Sequence, residues 1–159
     1  MRAQGAGREI CQKCAVTNPV GGLRERFAVV LVDTSVWIEF FRKPSRFRLE
    51  SVGELKVLVT CLPVIQEVLQ GFRDEQDFRL AREAMHSLLI VESPLRSEVF
   101  DEAVQLYRQA RRAGYTLRSG VDCLIAACAL RHNLTVLHNN RDFDVLSRVS
   151  ALQAREIFL

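Results

Sequence analysis

Phe27-Ala28-Val29-Val30-Leu31-Val32-Asp33-Thr34-Ser35-Val36-Trp37 is the stretch on which the reading of the fold turns. Its first six residues are apolar without interruption. Such a run describes a strand covered on both faces, as in the middle of a parallel sheet. It ends in Asp33, Thr34 and Ser35, whose short oxygen-bearing side chains suit a helix N-cap. Val36-Trp37-Ile38-Glu39-Phe40-Phe41 continues as a helix, and Pro44 ends it. A buried strand that passes straight into a helix is the building unit of an α/β fold.

The same alternation recurs downstream. Val57-Leu58-Val59 reads as a short strand. Pro63 suits the first turn of the next helix, whose apolar stripe is Val64, Ile65, Val68, Leu69 and Phe72, with Gly71 at its end. A helix is expected over about residues 75–88 and a strand over Leu89-Ile90-Val91. After Pro94, the residues Val99, Phe100, Ala103, Tyr107 and Ala110 mark a long amphipathic helix stopped by Gly114. A helix apolar nearly all round, and therefore buried, follows from Ser119 to about His132. Leu134 to Leu137 reads as a strand, Phe143 to Val149 as a short helix and Arg155 to Phe158 as a last strand. Together these describe a central parallel sheet flanked by helices, over residues 27–159. Residues 1–26 lack periodicity and contain four glycines, Gly5, Gly7, Gly21 and Gly22, so a poorly ordered N-terminal extension is expected there.

The chain has 159 residues, 48% hydrophobic and 26% charged, an ordinary balance for one globular domain. No apolar run approaches the roughly 18 residues of a membrane helix, and the polar N-terminus offers no apolar signal region. No membrane association and a cytoplasmic location are therefore expected. Of the five cysteines, Cys61, Cys123 and Cys128 sit in apolar surroundings and read as small buried hydrophobes. Cys11 and Cys14 form a lone C-x-x-C without the second ligand pair that a structural zinc site needs, and read as free thiols. The net charge of +3 is too small to imply nucleic acid by itself. Its distribution adds two basic clusters, Arg42-Lys43-Arg46-Arg48 and Arg108-Arg111-Arg112-Arg118. Either is a phosphate-attracting patch, a partner contact or an ordinary solvated face.

Four acids stand where acids are least expected. Asp33 closes the first apolar run, Glu67 interrupts Val64-Ile65-Gln66-Glu67-Val68-Leu69, and Asp122 opens the apolar helix. Asp142 follows the strand at Leu134 to Leu137. A carboxylate next to buried surface is costly unless it is paired or holds a cation. Each acid has an ordinary explanation. Asp33 and Asp142 can cap helices, Asp122 can complete a capping box with Ser119, and Glu67 can point into water. Taken together, they read as converging on a divalent metal. Asp33 and the segment from Asn140 to Asp142 both follow strands, the edge on which α/β sheets build sites.

Four blocks carry a resemblance. They are Val32-Asp33-Thr34-Ser35-Val36-Trp37, the run from Pro63 to Phe72, Val121-Asp122-Cys123-Leu124-Ile125-Ala126-Ala127, and the run from Leu137 to Asp144. In this order and context the chain, over about residues 28 to 158, resembles PIN-domain ribonucleases, and specifically the VapC toxins of VapBC toxin–antitoxin pairs. The resemblance implies a PIN-like three-layer fold and a toxin that cleaves RNA as a metal-dependent endoribonuclease. It implies Asp33, Glu67, Asp122 and Asp142 as the acidic catalytic cluster, with Asp33 and Asp122 most directly tied to Mg²⁺ or Mn²⁺. Thr34 and Ser35 are implied as hydrogen-bonding supports. A VapB-like antitoxin and a second copy of the chain are the implied partners.

Asn140 departs from the pattern, since many relatives carry an acid there. An amide still offers a neutral oxygen, but the charge is lost, with Asp144 as the candidate to compensate. The departure keeps open a PIN domain that binds RNA or a partner and cleaves poorly. A phosphatase using Asp33 as nucleophile is disfavoured, because the second acid it wants two residues on is Ser35. His138 reads as a locally packed strand-end histidine rather than a general base. Trp37 reads as a core or interface aromatic rather than a base-stacking platform. The RNA target, the RNA-binding residues and the number of ions are not legible in the sequence.

Overall fold

The computed structural model describes residues 29–42 and 57–157. The expected N-terminal extension, Phe27, Pro44, Phe158, the Cys11/Cys14 pair and most of the first basic cluster lie outside the described residues. Among the described residues five strands, β1 (Val29–Val32), β2 (Val57–Cys61), β3 (Leu89–Val91), β4 (Thr135–His138) and β5 (Gln153–Glu156), form one sheet in the order β3-β2-β1-β4-β5. All the pairings are parallel. Among the described residues six helices flank it: α1 (Thr34–Phe41), α2 (Leu62–Gln70), α3 (Glu75–Ser87), α4 (Ser97–Arg112), α5 (Gly120–Arg131) and α6 (Arg141–Val149). This is the expected α/β architecture.

The central strand is β1, and its residues Val30, Leu31 and Val32 are almost wholly buried. Its register pairs Leu31 with Val59 on one side and with Val136 on the other. The chain runs outward from β1 to β2 and β3, then returns to lay β4 and β5 on the opposite flank. The order therefore reverses between β1 and β4. In open parallel sheets such a switch point leaves a crevice at the carboxyl ends of the two strands, because the connecting helices diverge there. Asp33 follows β1 and Asn139 follows β4, so both stand at this crevice.

Helix ends follow local chemistry. Asp33 caps α1, its Oδ2 accepting from the Ser35 N–H at 3.0 Å. Ser119 caps α5, accepting from the Val121 N–H. At the end of α4, Gly114 adopts a φ of +83°. The Tyr115 N–H then reaches back to the Ala110 carbonyl at 2.9 Å. That closure needs a left-handed residue, which glycine adopts at least cost. Helix α5 ends in the same way with Asn133 at φ 52° and the Leu134 N–H on Ala129 O.

Three details differ from the sequence reading. In α4 the buried stripe is Val99, Ala103, Leu106 and Ala110, while Phe100 is 48% exposed. Leu106, not Phe100, keeps the helical spacing toward the core. The last strand is Gln153–Glu156, not Arg155 onward. Pairing of Thr135 with Gln153 sets its register, and as an edge strand it carries polar residues that no apolar pattern marks. Finally, α6 is capped by Asn140, whose Oδ1 accepts from the Asp142 N–H, so Asp142 lies within the first turn instead of capping it. Cys61, Cys123 and Cys128 are free and buried, as expected. Trp37 is 3% exposed and packs on Phe40 and Phe41. Among the described residues no helix is long and apolar enough to cross a membrane.

Candidate active site

The crevice opens as a cavity of about 490 Å³. Asp33, Glu67, Asp122 and Asp142 all line it. They arrive from four elements. Asp33 is the cap between β1 and α1, Glu67 lies in the middle of α2, and Asp122 and Asp142 lie in the first turns of α5 and α6. Three of the four are nearly inaccessible: Asp33 is 2% exposed, Asp122 5% and Asp142 1%.

Each carboxylate is held at one oxygen by a donor from the protein. Ser35 Oγ and the Ser35 N–H both donate to Asp33 Oδ2. Thr34 Oγ1 donates to Glu67 Oε2 at 2.8 Å. Asn140 Nδ2 donates to Asp122 Oδ2 at 3.0 Å. The backbone N–H of Arg118 donates to Asp142 Oδ2 at 2.7 Å. Ser35 Oγ also accepts from the Asn139 N–H, which ties the end of β1 to the end of β4. The opposite oxygen of Asp33, Oδ1, is buried with no hydrogen-bond partner. Asp142 Oδ1 is likewise buried, with only the Arg118 Nε at 3.5 Å facing it.

This arrangement is electrostatically unfavourable for the ionised acids. Burial raises the pKa of Asp33 above the usual carboxylate value, against the lowering effect of its Ser35 hydrogen bonds. Asp122 is pushed up to about 7, first by burial and then by the negative charge of Asp33, with further contributions from Asp142 and Glu67. The Asn140 hydrogen bond opposes this rise. Crowded carboxylates that repel one another, with one exposed arginine among the cavity-lining described residues, are the setting in which a bound cation relieves most strain.

The donor set fits a hard, oxygen-preferring cation. Oxygen atoms alone face the cavity from its acids, and Asp33 Oδ1 has no other partner. Among the described residues, however, no three acids, histidines or cysteines are already gathered closely enough to enclose an ion. The four carboxylates interact at a distance while lining one space. This suits a cation that takes one or two carboxylates directly and keeps water on its other positions, as Mg²⁺ does.

The remaining predicted residues fall into place around the acids. Thr34, Ser35 and Asn140 line the cavity and orient three of the carboxylates. Asp144 does not line it. Its carboxylate stands 3.8 Å from His138 Nε2, and its side chain is 44% exposed. His138 is wholly buried, its Nδ1 accepts from the Asn140 N–H, and its ring packs on Phe143. Burial lowers its pKa, so it is a neutral, locally packed ring, as expected.

Arg118 is a cavity-lining residue that the sequence alone leaves grouped with the arginines of α4; Ile38, Gln70, Ser119 and Asn139 also line the cavity. Besides its backbone bond to Asp142, Arg118 donates from Nη2 to Asn140 Oδ1 at 3.1 Å. Its nearness to Ser119 and Asp122, on the far side of Gly114 from the α4 arginines, was the available signal.

Comparison with known proteins places the chain in a family. The family model described as PIN domain matches residues 30–149, a span that holds all four acids. VapC ribonuclease Mb1587 of Mycobacterium bovis and ribonuclease VapC11 of Mycobacterium tuberculosis are each 37% identical to the chain over 133 residues, covering 79% of it and 97% of their own length. Among solved structures, VapBC2 from Rickettsia felis bound to a DNA fragment from its promoter matches with a TM-score of 0.63 at 15% identity, covering 82% of this chain and 99% of that one. VapBC-5 from Mycobacterium tuberculosis matches with a TM-score of 0.62 at 18% identity over the same shares. At these identities the structural likeness establishes the fold, and the sequence matches establish the kinship. The chain belongs to the PIN-domain family, among the VapC ribonucleases.

Proposed function

We propose that this protein is a metal-dependent endoribonuclease, the toxin of a type II toxin–antitoxin pair, in which Asp33, Glu67, Asp122 and Asp142 form the catalytic cluster. The observation that carries the proposal is that these four acids, widely spaced in sequence, line one cavity, in which burial first and then the charges of the other three raise the pKa of Asp122. Asp33 and Asp122 are the residues assigned to hold Mg²⁺ or Mn²⁺. The chemistry such an ion supplies is the acidification of water and the neutralisation of charge on phosphoryl oxygens.

The chain's own residues do the positioning. Ser35 turns Asp33 so that Oδ1, the oxygen without a protein partner, is available to a cation. Thr34 sets the Glu67 carboxylate across the cavity, where it can accept a proton from a water aligned with phosphorus. Asn140 fixes the rotation of Asp122 and offers no charge of its own. Deep burial keeps bulk water away from Asp33 and Asp142, so their field acts in a medium of low polarity. The proposed partner is a VapB-like antitoxin, in keeping with the VapBC complexes among the structural neighbours, and a second copy of the chain is proposed on family grounds.

The test is cleavage of RNA with Mg²⁺ or Mn²⁺, with EDTA, and by the Asp33→Asn and Asp122→Asn variants. Cleavage confined to the wild-type protein with metal is expected. Equal cleavage in every sample would dismiss the proposal. A second reading, an RNA- or partner-binding PIN domain that cleaves poorly, draws on Asn140, an uncharged residue that engages Asp122. Metal binding with RNA left whole would select it.

A further inference from the structure

We infer that Arg118 receives a backbone phosphate of the RNA strand at the mouth of the acid cavity, exchanging its hold on Asn140 and Asp142 for the phosphate oxygens. The inference rests on the nuclease reading above. A phosphodiester approaching four carboxylates meets repulsion that a divalent ion offsets only in part. Among the described residues that line the cavity, Arg118 is the one cation.

Its attachment divides the residue in two. The backbone N–H is fixed to the buried Asp142 Oδ2 at 2.7 Å, so the position of the main chain does not depend on the side chain. The side chain is 65% exposed and held only at its edge. Nη2 bonds the neutral Asn140 oxygen at 3.1 Å, and Nε lies 3.5 Å from Asp142 Oδ1. A guanidinium carries five N–H donors in a planar fork, and a phosphate can take two of them side by side. The guanidinium end is solvated and its contact with the buried Asp142 is long, so water competes for the arginine. The movement exchanges an amide oxygen and a long ion pair for a phosphate, while Asp142 keeps the Arg118 backbone N–H on Oδ2. It has a consequence for the site. Once the guanidinium leaves, Asn140 Oδ1 and Asp142 Oδ1 face the cavity without their cationic neighbour, so arrival of the strand strengthens the negative field where the cation is held.

The experiment uses the full chain and a fluorescent single-stranded RNA. Equilibrium binding is measured in Ca²⁺ across a potassium chloride series, and cleavage is measured in Mn²⁺, for wild type, Arg118→Gln, Arg118→Lys and Arg79→Gln. Arg79 lies on α3, paired with Glu75, and its replacement removes the same charge away from the cavity. Arg118→Gln is expected to weaken RNA binding by about 10-fold and to lower the slope of log affinity against log salt by about 0.7, the contribution of one single-strand phosphate contact. Arg118→Lys should recover part of the affinity, and Arg79→Gln should match wild type in both affinity and slope. If wild type cleaves while Arg118→Gln keeps wild-type affinity and slope, the phosphate contact is wrong and the nuclease reading stands. A fall in cleavage rate with unchanged affinity and slope also overturns the contact, because it leaves Arg118 only as a brace for Asp142. If Arg118→Gln lowers affinity and slope but no protein cleaves RNA, the contact stands and the nuclease reading falls. A wild type that neither binds nor cleaves RNA ends both.

Discussion

Two charge clusters in this molecule show opposite economies. Near the end of β3, Glu92 meets Arg131 at 3.0 Å and His132 at 2.9 Å, and Arg131 also meets Glu102 at 2.6 Å. Each acid there has a basic partner and the groups are partly solvated. In the cavity at the switch point, four carboxylates share one exposed arginine, and three of them are almost fully buried. The first cluster fastens the loop after β3 to the C-terminal end of α5. The second stores repulsion that the fold itself does not relieve. Balanced charge near the surface is structure; unbalanced buried charge points to an absent counter-charge, and hence to function.

The most severe test of that contrast is to neutralise one acid in each cluster. Asp33→Asn or Asp122→Asn is expected to lower Mn²⁺-dependent RNA cleavage by at least about 100-fold, since outer contacts to a metal alone are worth roughly 10–100-fold. Glu102→Gln is expected to leave cleavage within about two-fold and to change stability by no more than about 1 kcal/mol, as for other partly exposed pairs. Similar losses from both clusters would erase the distinction.

The second test reads the stored repulsion through pH. Asp122 has a folded pKa of about 7 against an ordinary value of 3.8. Over that interval the folded state keeps a proton that the unfolded state releases. Stability of the metal-free protein is therefore greatest below about pH 4 as far as this group is concerned, and is lost as pH rises toward 7, with a slope of up to about 1.4 kcal/mol per pH unit. Denaturant unfolding at pH 5 and pH 8 measures it. Asp122→Asn should flatten the dependence and leave the metal-free protein more stable than wild type at pH 8. A wild type equally stable at both pH values, or an Asn variant destabilised at pH 8, would contradict the assigned repulsion.

A milder test addresses orientation. Thr34→Val removes the donor to Glu67, and Ser35→Ala removes the hydroxyl shared between Asp33 and Asn139. Each is expected to reduce cleavage about 10-fold, with Mn²⁺ binding weakened more by Ser35→Ala because Asp33 is the assigned ligand. Loss of Thr34 without any effect on cleavage would show that Glu67 does not act.

The same contrast explains what was legible in the sequence. The core strands were readable because Val30, Leu31 and Val32, or Val136 and Leu137, are buried on both faces and form unbroken apolar runs. The acids were readable because they interrupt or close such runs. Legibility failed where burial stops dictating residue type. Strand β5 is polar because an edge needs little apolar cover, and Phe100 is an exposed aromatic that mimics a core position. The roles of Arg118 and Asn140 were hidden for a different reason. Both depend on contacts across more than twenty positions of chain or between neighbouring loops, and residue type alone does not report them.

The most direct measurement is a calorimetric titration of the metal-free protein with Mn²⁺ at pH 7 and pH 8, in two buffers of different ionisation enthalpy, beside Asp122→Asn. Saturable binding by wild type, with proton release that grows as the pH is lowered toward 7, and binding at least about 10-fold weaker in the variant, is the predicted result. Equal binding by both proteins, or no saturable binding by wild type at millimolar Mn²⁺, would contradict the claim that these carboxylates meet to hold a cation.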